Sequence, residues 1–470
     1  MSNLGNGSLI LPTFGYLRAD NLPLQMKSIG ILFGISILLV ACAANTKTKI
    51  GTTVITKWQG DKKSAISITF DDGIINQLTV AKPILDNLGL PATFFIITGK
   101  VPGAATGKFI GRPEQEIIDE TARVKTNGKN FFERGSLIGF TGTTEALDYH
   151  SRAGSLFESG KKEEAYQLLD EAYAKLRKGS LRNTDEIVFH NNPVDTTTWQ
   201  QYKQYALQGH EIASHTVTHP RLAILDEPNL RYELEQSKAD IEKQLGKEYT
   251  FSAECPYGTE DERVMACAHT IYPALRNRMP ETYLEEINRS SKVNPEISQK
   301  EYVQWQRGPV NSVGMAEMKG WVDTCLAHDN MWLVLVFHGV NGIGWEPRTD
   351  TELEEYFGYI HDRESDIWTA TFGDVTKYIR ERKSSKIEET LQGDTIAVMV
   401  SSDLDATTYD VPLTLKTYLP NTWKTAFLQK KLESDQERRL EIYKDTVGHY
   451  TLYPYRLGEG ELQLTEFGPN

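Results

Sequence analysis

The chain has 470 residues, 39% of them hydrophobic and 24% charged, and a formal net charge of −13. That length exceeds one compact core and predicts two folded units with tails. The balance is that of a globular protein, and the acidic surplus excludes the basic face that a nucleic-acid partner would need.

Near the amino terminus Lys27 precedes an apolar run, 29–40, broken only by Gly30, Gly34 and Ser36 and closed by Leu39-Val40-Ala41-Cys42. The run is short for a spanning helix and has the length of a signal core. It resembles a bacterial lipoprotein signal starting at Met26, with an upstream extension before it. The resemblance implies cleavage before Cys42, acylation of Cys42 and attachment to a membrane through that lipid anchor. With Ala43-Ala44 following, it implies a place in the cell envelope at the outer membrane, facing the periplasm or the surface. Residues 1–42 are thus read as extension and signal peptide, and 43–55 as a polar linker. Cys255, Cys267 and Cys325 then remain, permitting one disulfide at most. No Cys-x-x-Cys pair offers a thiolate zinc site.

Over 56–383, β-prone runs at 65–70, 92–97, 211–214 and 332–337 alternate with helical patterns at 75–87, 229–245 and 371–380. Helix 229–245 carries Leu230, Leu234, Ile241 and Leu245 on one stripe among charges. Such alternation predicts an α/β sheet or barrel. The span 101–198 is far longer than a βα connection of a few residues. Its segment 161–178 places Ala165, Leu168, Leu169, Ala172 and Leu176 at helical spacing, so the span is read as a helical insertion, either shaping a cleft or purely structural. From 384 to 470, short β-rich runs (394–400, 411–417, 448–453) separated by polar turns predict a small antiparallel β-sandwich, immunoglobulin-like. Its Trp423, Tyr450, Tyr453 and Tyr455 are read as core, with a sugar-stacking face as the alternative.

Three stretches end in chemistry-bearing residues: Ser67–Gly73 in Asp71-Asp72-Gly73, Glu211–His219 in His215-Thr216-Val217-Thr218-His219, and Leu333–Gly339 in His338-Gly339. A parallel barrel gathers the carboxyl ends of its strands on one face, where catalytic residues assemble. Taken singly each has an ordinary explanation: Asp-Asp-Gly is a common turn, and a histidine beside a buried strand is often structural. Together, two histidines and an aspartate make a facial triad with open positions for water and substrate, acceptable to zinc and also to cobalt or nickel. The four-residue spacing of His215 and His219 predicts imidazoles on one side of a helical turn. The second aspartate is free for proton transfer, and His338 is placed as a proton donor.

In this order, Thr69–Gly73, Ser214–His219, Pro256-Tyr257-Gly258 and Leu335–His338 resemble the motifs of the polysaccharide deacetylases, the NodB-homology group or carbohydrate esterase family four. The flanking Pro91–Ile96 and Gly209–Ala213 fit as well. The resemblance runs from about Lys62 to Arg382, interrupted by the insertion. It implies a distorted (β/α) barrel that removes acetyl groups from an acetylated glycan. Asp72, His215 and His219 would hold a divalent metal, zinc first; Asp71 would be the general base; His338 would protonate the leaving amine or alkoxide. The backbone N–H of Tyr257 would stabilise the oxyanion.

One position departs from the family pattern. Many members carry an arginine two residues before the proline of Pro256-Tyr257-Gly258, paired with the base, and here Glu254 stands there. A nearby carboxylate raises the pKa of Asp71 unless a cation intervenes. Arg276 is the candidate cation, with a surface role as the alternative; no residue is assigned as the support of His338. The leading expectation is an N-acetyl deacetylase. The alternatives are an O-acetyl carbohydrate esterase of the acetyl-xylan type and a catalytically degenerate glycan-binding lipoprotein.

Overall fold

The computed structural model describes residues 50–183, 197–258, 261–310, 312–430 and 433–467. The apolar run 29–40 and Cys42 lie outside them. The described residues belong to one compact unit, Thr48–Asn470.

In chain order come β1 (Thr53–Ile55), β2 (Ser64–Asp72), α1 (Lys82–Asn87) and β3 (Ala92–Ile96), then α2 (Glu114–Glu120), α3 (Phe131–Gly139), α4 (Thr144–Glu158) and α5 (Lys162–Arg177). Next are α6 (Trp199–Ala206), β4 (Glu211–Ser214), α7 (Glu227–Gln244), β5 (Ser252–Ala253), α8 (Glu262–Ala268), β6 (Ala274–Leu275), β7 (Leu284–Ile287) and β8 (Tyr302–Arg307). The last of this series are α9 (Met315–Ala327), β9 (Met331–Phe337), α10 (Asp350–His361), β10 (Ile367–Thr369) and α11 (Phe372–Ser384).

Strands β2 to β10 form one parallel sheet, in the order β6-β5-β4-β3-β2-β9-β8-β7, with β10 beside the start of β2. It curls into the distorted (β/α) barrel expected from the sequence, with β6 and β7 as its edges. Strand β2 is central because both of its faces are apolar or small: Ile66, Ile68 and Phe70 enter one core and Ala65 the other. Phe70 stacks between Phe94 and Phe337 at 5.4 and 5.3 Å, locking β3, β2 and β9 together. Parallel pairing then brings Asp72, Ser214 and Phe337 to the same end of the sheet.

The span 101–198 is helical where it is described and has a core of its own, in which Phe131, Leu137, Tyr149, Leu169 and Tyr173 are buried. Ile224, five residues past His219, enters the same core, so the insertion packs directly on the chain leaving the site.

Beyond α11, strands β11 (Lys386–Gln392), β12 (Thr395–Ser401), β13 (Leu413–Leu419), β14 (Ala426–Lys430), β15 (Glu433–Leu440), β16 (Tyr443–Lys444), β17 (His449–Tyr455) and β18 (Leu462–Thr465) form two antiparallel sheets. Strand β1 lies inside the span read as a linker, yet it pairs with β13, and Thr53 and Thr417 share a hydroxyl hydrogen bond of 2.8 Å. Trp423, Tyr453 and Tyr455 are buried in a core continuous with Trp332, Phe372 and Tyr378 of the barrel. Tyr450 instead lies half-buried against the exposed Tyr443.

Candidate active site

Asp71 and Asp72 both reach one cluster of side chains because the backbone turns at Asp72 and Gly73. Asp72 has a φ of 78° and Gly73 a φ of 67°, so the strand's alternation is broken at its last residue. A left-handed non-glycine residue costs roughly 1–2 kcal/mol, and such strain gathers at functional sites. Only glycine fits at 73, since a Cβ there would lie 2.7 Å from the Tyr202 hydroxyl.

The helical turn predicted for His215 and His219 is absent. Residues 215–219 form a loop in which Thr216 and His219 have φ values of 66° and 62°. Glu233, buried on α7, shapes it. One carboxylate oxygen accepts the amides of Val217 and Thr218 at 2.8 Å each, and the other accepts the Thr218 hydroxyl at 2.7 Å. The sequence spacing therefore signalled the right pair through the wrong local geometry. The imidazoles converge by anchored loop, with ring centroids 4.7 Å apart.

One donor atom from each of Asp72, His215 and His219 lies within 4.8 Å of the other two. Asp72 Oδ1 is 3.4 Å from His219 Nε2 and 3.8 Å from His215 Nε2. Ligands about 2.0–2.1 Å from a tetrahedral zinc stand roughly 3.3 Å apart, close to these separations. His215 Nδ1 faces the Glu254 carbonyl at 3.1 Å, so that nitrogen carries the proton and Nε2 keeps its lone pair toward Asp72. Burial lowers the pKa of both histidines, which favours neutral, ligating imidazoles. The donor set fits a divalent metal.

Asp71 sits behind this cluster, in the grip of Arg276. Two guanidinium nitrogens meet its two oxygens at 2.9 and 2.5 Å, and Nη1 also donates to Thr69 Oγ1 at 2.6 Å. Burial raises the carboxyl's pKa, but Arg276 first, then His338 and His215, hold it well below the usual carboxylate range. Glu254 lies on the far side of the same arginine, accepting from Arg276 Nε at 3.2 Å and from Asn277 Nδ2 at 2.8 Å. Burial, opposed by Arg276, pushes it up to about 8. Arg276 thus occupies the electrostatic place that Glu254 leaves open in the motif.

His338 Nε2 is 3.5 Å from Asp71 Oδ2, and its ring meets Trp345 edge-on at 4.7 Å. Arg289 covers Trp345 at 4.6 Å and pairs with Glu346. Gln77 ties Asp71 and His338 together, donating to the carbonyls of Asp71 at 2.5 Å and His338 at 2.8 Å. It does so from a π-wound turn, Gln77–Ala81, that interrupts the helix predicted over 75–87. Tyr257, in the sequence Pro256-Tyr257-Gly258, has a φ of 63° and places its ring 4.8 Å from His219. All seven described residues singled out by sequence, Asp71, Asp72, His215, His219, Tyr257, Arg276 and His338, are therefore linked by contact into one cluster. Gln77, Glu233 and Trp345 were missed; they are ordinary residue types that carry no motif signal of their own. Cys255, Cys267 and Cys325 are buried and form no disulfide among the described residues.

Residues 59–128 and 155–271 match the family model of polysaccharide deacetylase. The barrel domain belongs to the polysaccharide deacetylase family. The matched segments include Asp71, Asp72, His215, His219 and Tyr257, and end before Arg276 and His338. A gellan lyase from a Bacillus species is 29% identical over a 244-residue alignment, covering 47% of this chain and 9% of that protein. The chain thus spans under a tenth of the curated relative it matches. Among solved structures, a family 4 carbohydrate esterase from Bacillus anthracis is 15% identical, with a TM-score of 0.31, covering 69% of this chain and 86% of its own. The peptidoglycan deacetylase PdaC from Bacillus subtilis is 11% identical, with a TM-score of 0.29 and coverages of 68% and 93%. For the Xyl-CE4 domain of a xylanase from a Trinervitermes trinervoides hindgut metagenome, identity is 14%, the TM-score 0.30 and the coverages 67% and 90%.

Proposed function

We propose that this deacetylase domain is a metal-dependent hydrolase that removes acetyl groups from a carbohydrate, with the N-acetyl group as its substrate bond. The observation that carries the reading is an Asp72–His215–His219 donor set beside an Asp71 kept ionised by Arg276. A divalent ion held by the three donors would supply Lewis-acid polarisation of the acyl carbonyl and acidify a water. Asp71 then accepts the proton of the attacking water; its anionic form is secured by the bidentate arginine and costs no reorganisation. His338, whose Nε2 lies 3.5 Å from Asp71 Oδ2, delivers a proton to the departing nitrogen. The backbone N–H of Tyr257 faces the developing oxyanion.

Zinc is the proposed metal, with cobalt and nickel as competitors that the same donors accept. Acylation of Cys42 would hold the enzyme at the cell envelope, which labelling with a fatty-acid analogue, absent in Cys42→Ser, would test. The activity is tested by acetate release from N-acetylated and O-acetylated oligosaccharides side by side. Faster release from the O-acetylated series would make it an esterase, and release from neither, with metal bound, a glycan-binding protein.

A further inference from the structure

Helix α4 has two faces. Ala146, Tyr149 and Ala153 are buried in the insertion's own core. His150, Ser151, Gly154 and Glu158 instead meet the two loops that carry His219 and Tyr257. His150 Nε2 accepts the backbone N–H of Arg221 at 3.0 Å while its Nδ1–H donates to the Gly135 carbonyl at 2.9 Å. Both ring nitrogens are thus used in the neutral form. Burial pushes the Tyr257 phenol up, opposed by Arg221 and by Ser151 beside it. Glu158 forms an ion pair with Arg221 Nη1. Gly154 is the bed for that arginine, since a Cβ on it would lie 2.1 Å from Arg221 Cδ. A glycine inside a helix costs about 1 kcal/mol relative to alanine, so open space at this turn of α4 has a structural use.

Seated in this way, the Arg221 guanidinium lies 4.4 Å from the centre of the Tyr257 ring, whose other neighbour is His219 at 4.8 Å. Tyr257 is packed by its ring between Arg221 and His219 while its backbone is in the left-handed region, at φ 63° and ψ 14°. A non-glycine residue keeps that conformation only when its surroundings over-determine it. We propose that the polar face of α4 clamps Arg221 onto Tyr257 and thereby fixes the backbone at Tyr257, which makes the helical insertion a working part of the hydrolytic site. Residues 129–154, which include His150, Ser151 and Gly154, fall between the two segments matched to the family, whereas Glu158, Arg221 and Tyr257 lie within the second. Arg221, Ser151 and Glu158 are positioning residues, and the inference rests on the proposed deacetylase reading for its kinetic consequence.

The test compares Glu158→Ala, Ser151→Ala and Glu158→Gln with the wild type in the full chain. Deuterium uptake is followed in peptides covering 253–258 and 215–221, alongside zinc content and acetate-release kinetics. In Glu158→Ala and Ser151→Ala, uptake in 253–258 should rise severalfold while peptides from β2 and β9 stay protected. Zinc content should stay at the wild-type value, and kcat should fall about tenfold with KM within twofold. Glu158→Gln, which keeps an oxygen acceptor for Arg221, should recover most of the protection and of kcat. Unchanged uptake in both alanine variants would overturn the clamp, as would a kcat loss that merely follows lost zinc, or a rise in KM alone. A wild type that releases no acetate from any glycan would sink the deacetylase reading, and the exchange data would still decide the clamp.

Discussion

Arg276 meets Asp71 end to end, with two nitrogens on two oxygens, and both side chains are almost wholly enclosed. Glu254 leans on the same guanidinium from the side. One cation therefore faces two buried carboxyls, holding Asp71 ionised while burial keeps Glu254 raised, and its removal has two consequences.

Arg276→Met leaves Asp71 and Glu254 buried without a counter-charge. Breaking a buried pair of this kind costs about 3–5 kcal/mol, and thermal or urea unfolding should show a loss of that order. Asp71 is now held low chiefly by this arginine against its burial. Without it the carboxyl titrates higher, so the acidic limb of kcat/KM should move to higher pH. An unmoved limb would dissociate Arg276 from the base.

His215→Ala removes a donor and should lower zinc content itself. His338→Ala touches none of the three donors; it should leave zinc content near normal and lower kcat by about 10²–10⁴-fold, the usual range for a lost general acid or base. Zinc content measured beside turnover in both variants separates ligand from proton donor.

Glu233→Ala strips three hydrogen bonds from the loop between His215 and His219. Buried donors left unpaired cost about 1–3 kcal/mol each. Stability should fall, and zinc affinity should fall with it because His219 is carried by that loop. Wild-type zinc affinity in this variant would mean that the loop is held by other contacts.

Glu381 on α11 is fully enclosed. One of its oxygens accepts the Val411 amide at 3.1 Å and the other has no hydrogen-bond partner. Burial raises its pKa from 4.5 to about 8. A carboxyl raised on folding contributes stability that is complete below the unfolded value and lost as pH rises through the folded one. At about 1.36 kcal/mol per pKa unit, the effect amounts to a few kcal/mol. Glu381→Gln should match the wild type near pH 4.5 and melt higher at pH 8.5, as calorimetry at the two pH values would show. Parallel melting curves would contradict an ionisation-linked cost at this residue.

The barrel and the residues that cluster at the ends of its strands were legible because the signal is local. An apolar run ending in Asp71-Asp72-Gly73 or in His338 carries both the strand and the position of its last residue. The same locality misled at His215 and His219, where a four-residue spacing suggested a helix but a buried acid on α7 sets a loop instead. Arg276 was readable only as a cation in search of a partner; its pairing with Asp71 joins residues 205 apart. Gln77, which reaches the His338 carbonyl, and the polar face of α4, which reaches Arg221, act through long-range contacts too. Linker residues 53–55 looked like a tether because their partner strand, β13, lies at the other end of the chain.

The most direct measurement is acetate release by zinc-loaded wild type and zinc-loaded Asp71→Asn on an N-acetylated oligosaccharide, with metal content determined on the same samples. Equal zinc in both proteins, turnover in the wild type and none above background in the variant is the expected result. Turnover by Asp71→Asn at the wild-type rate, or a zinc-free wild type that works equally well, would contradict an ionised Asp71 acting beside a metal held by Asp72, His215 and His219.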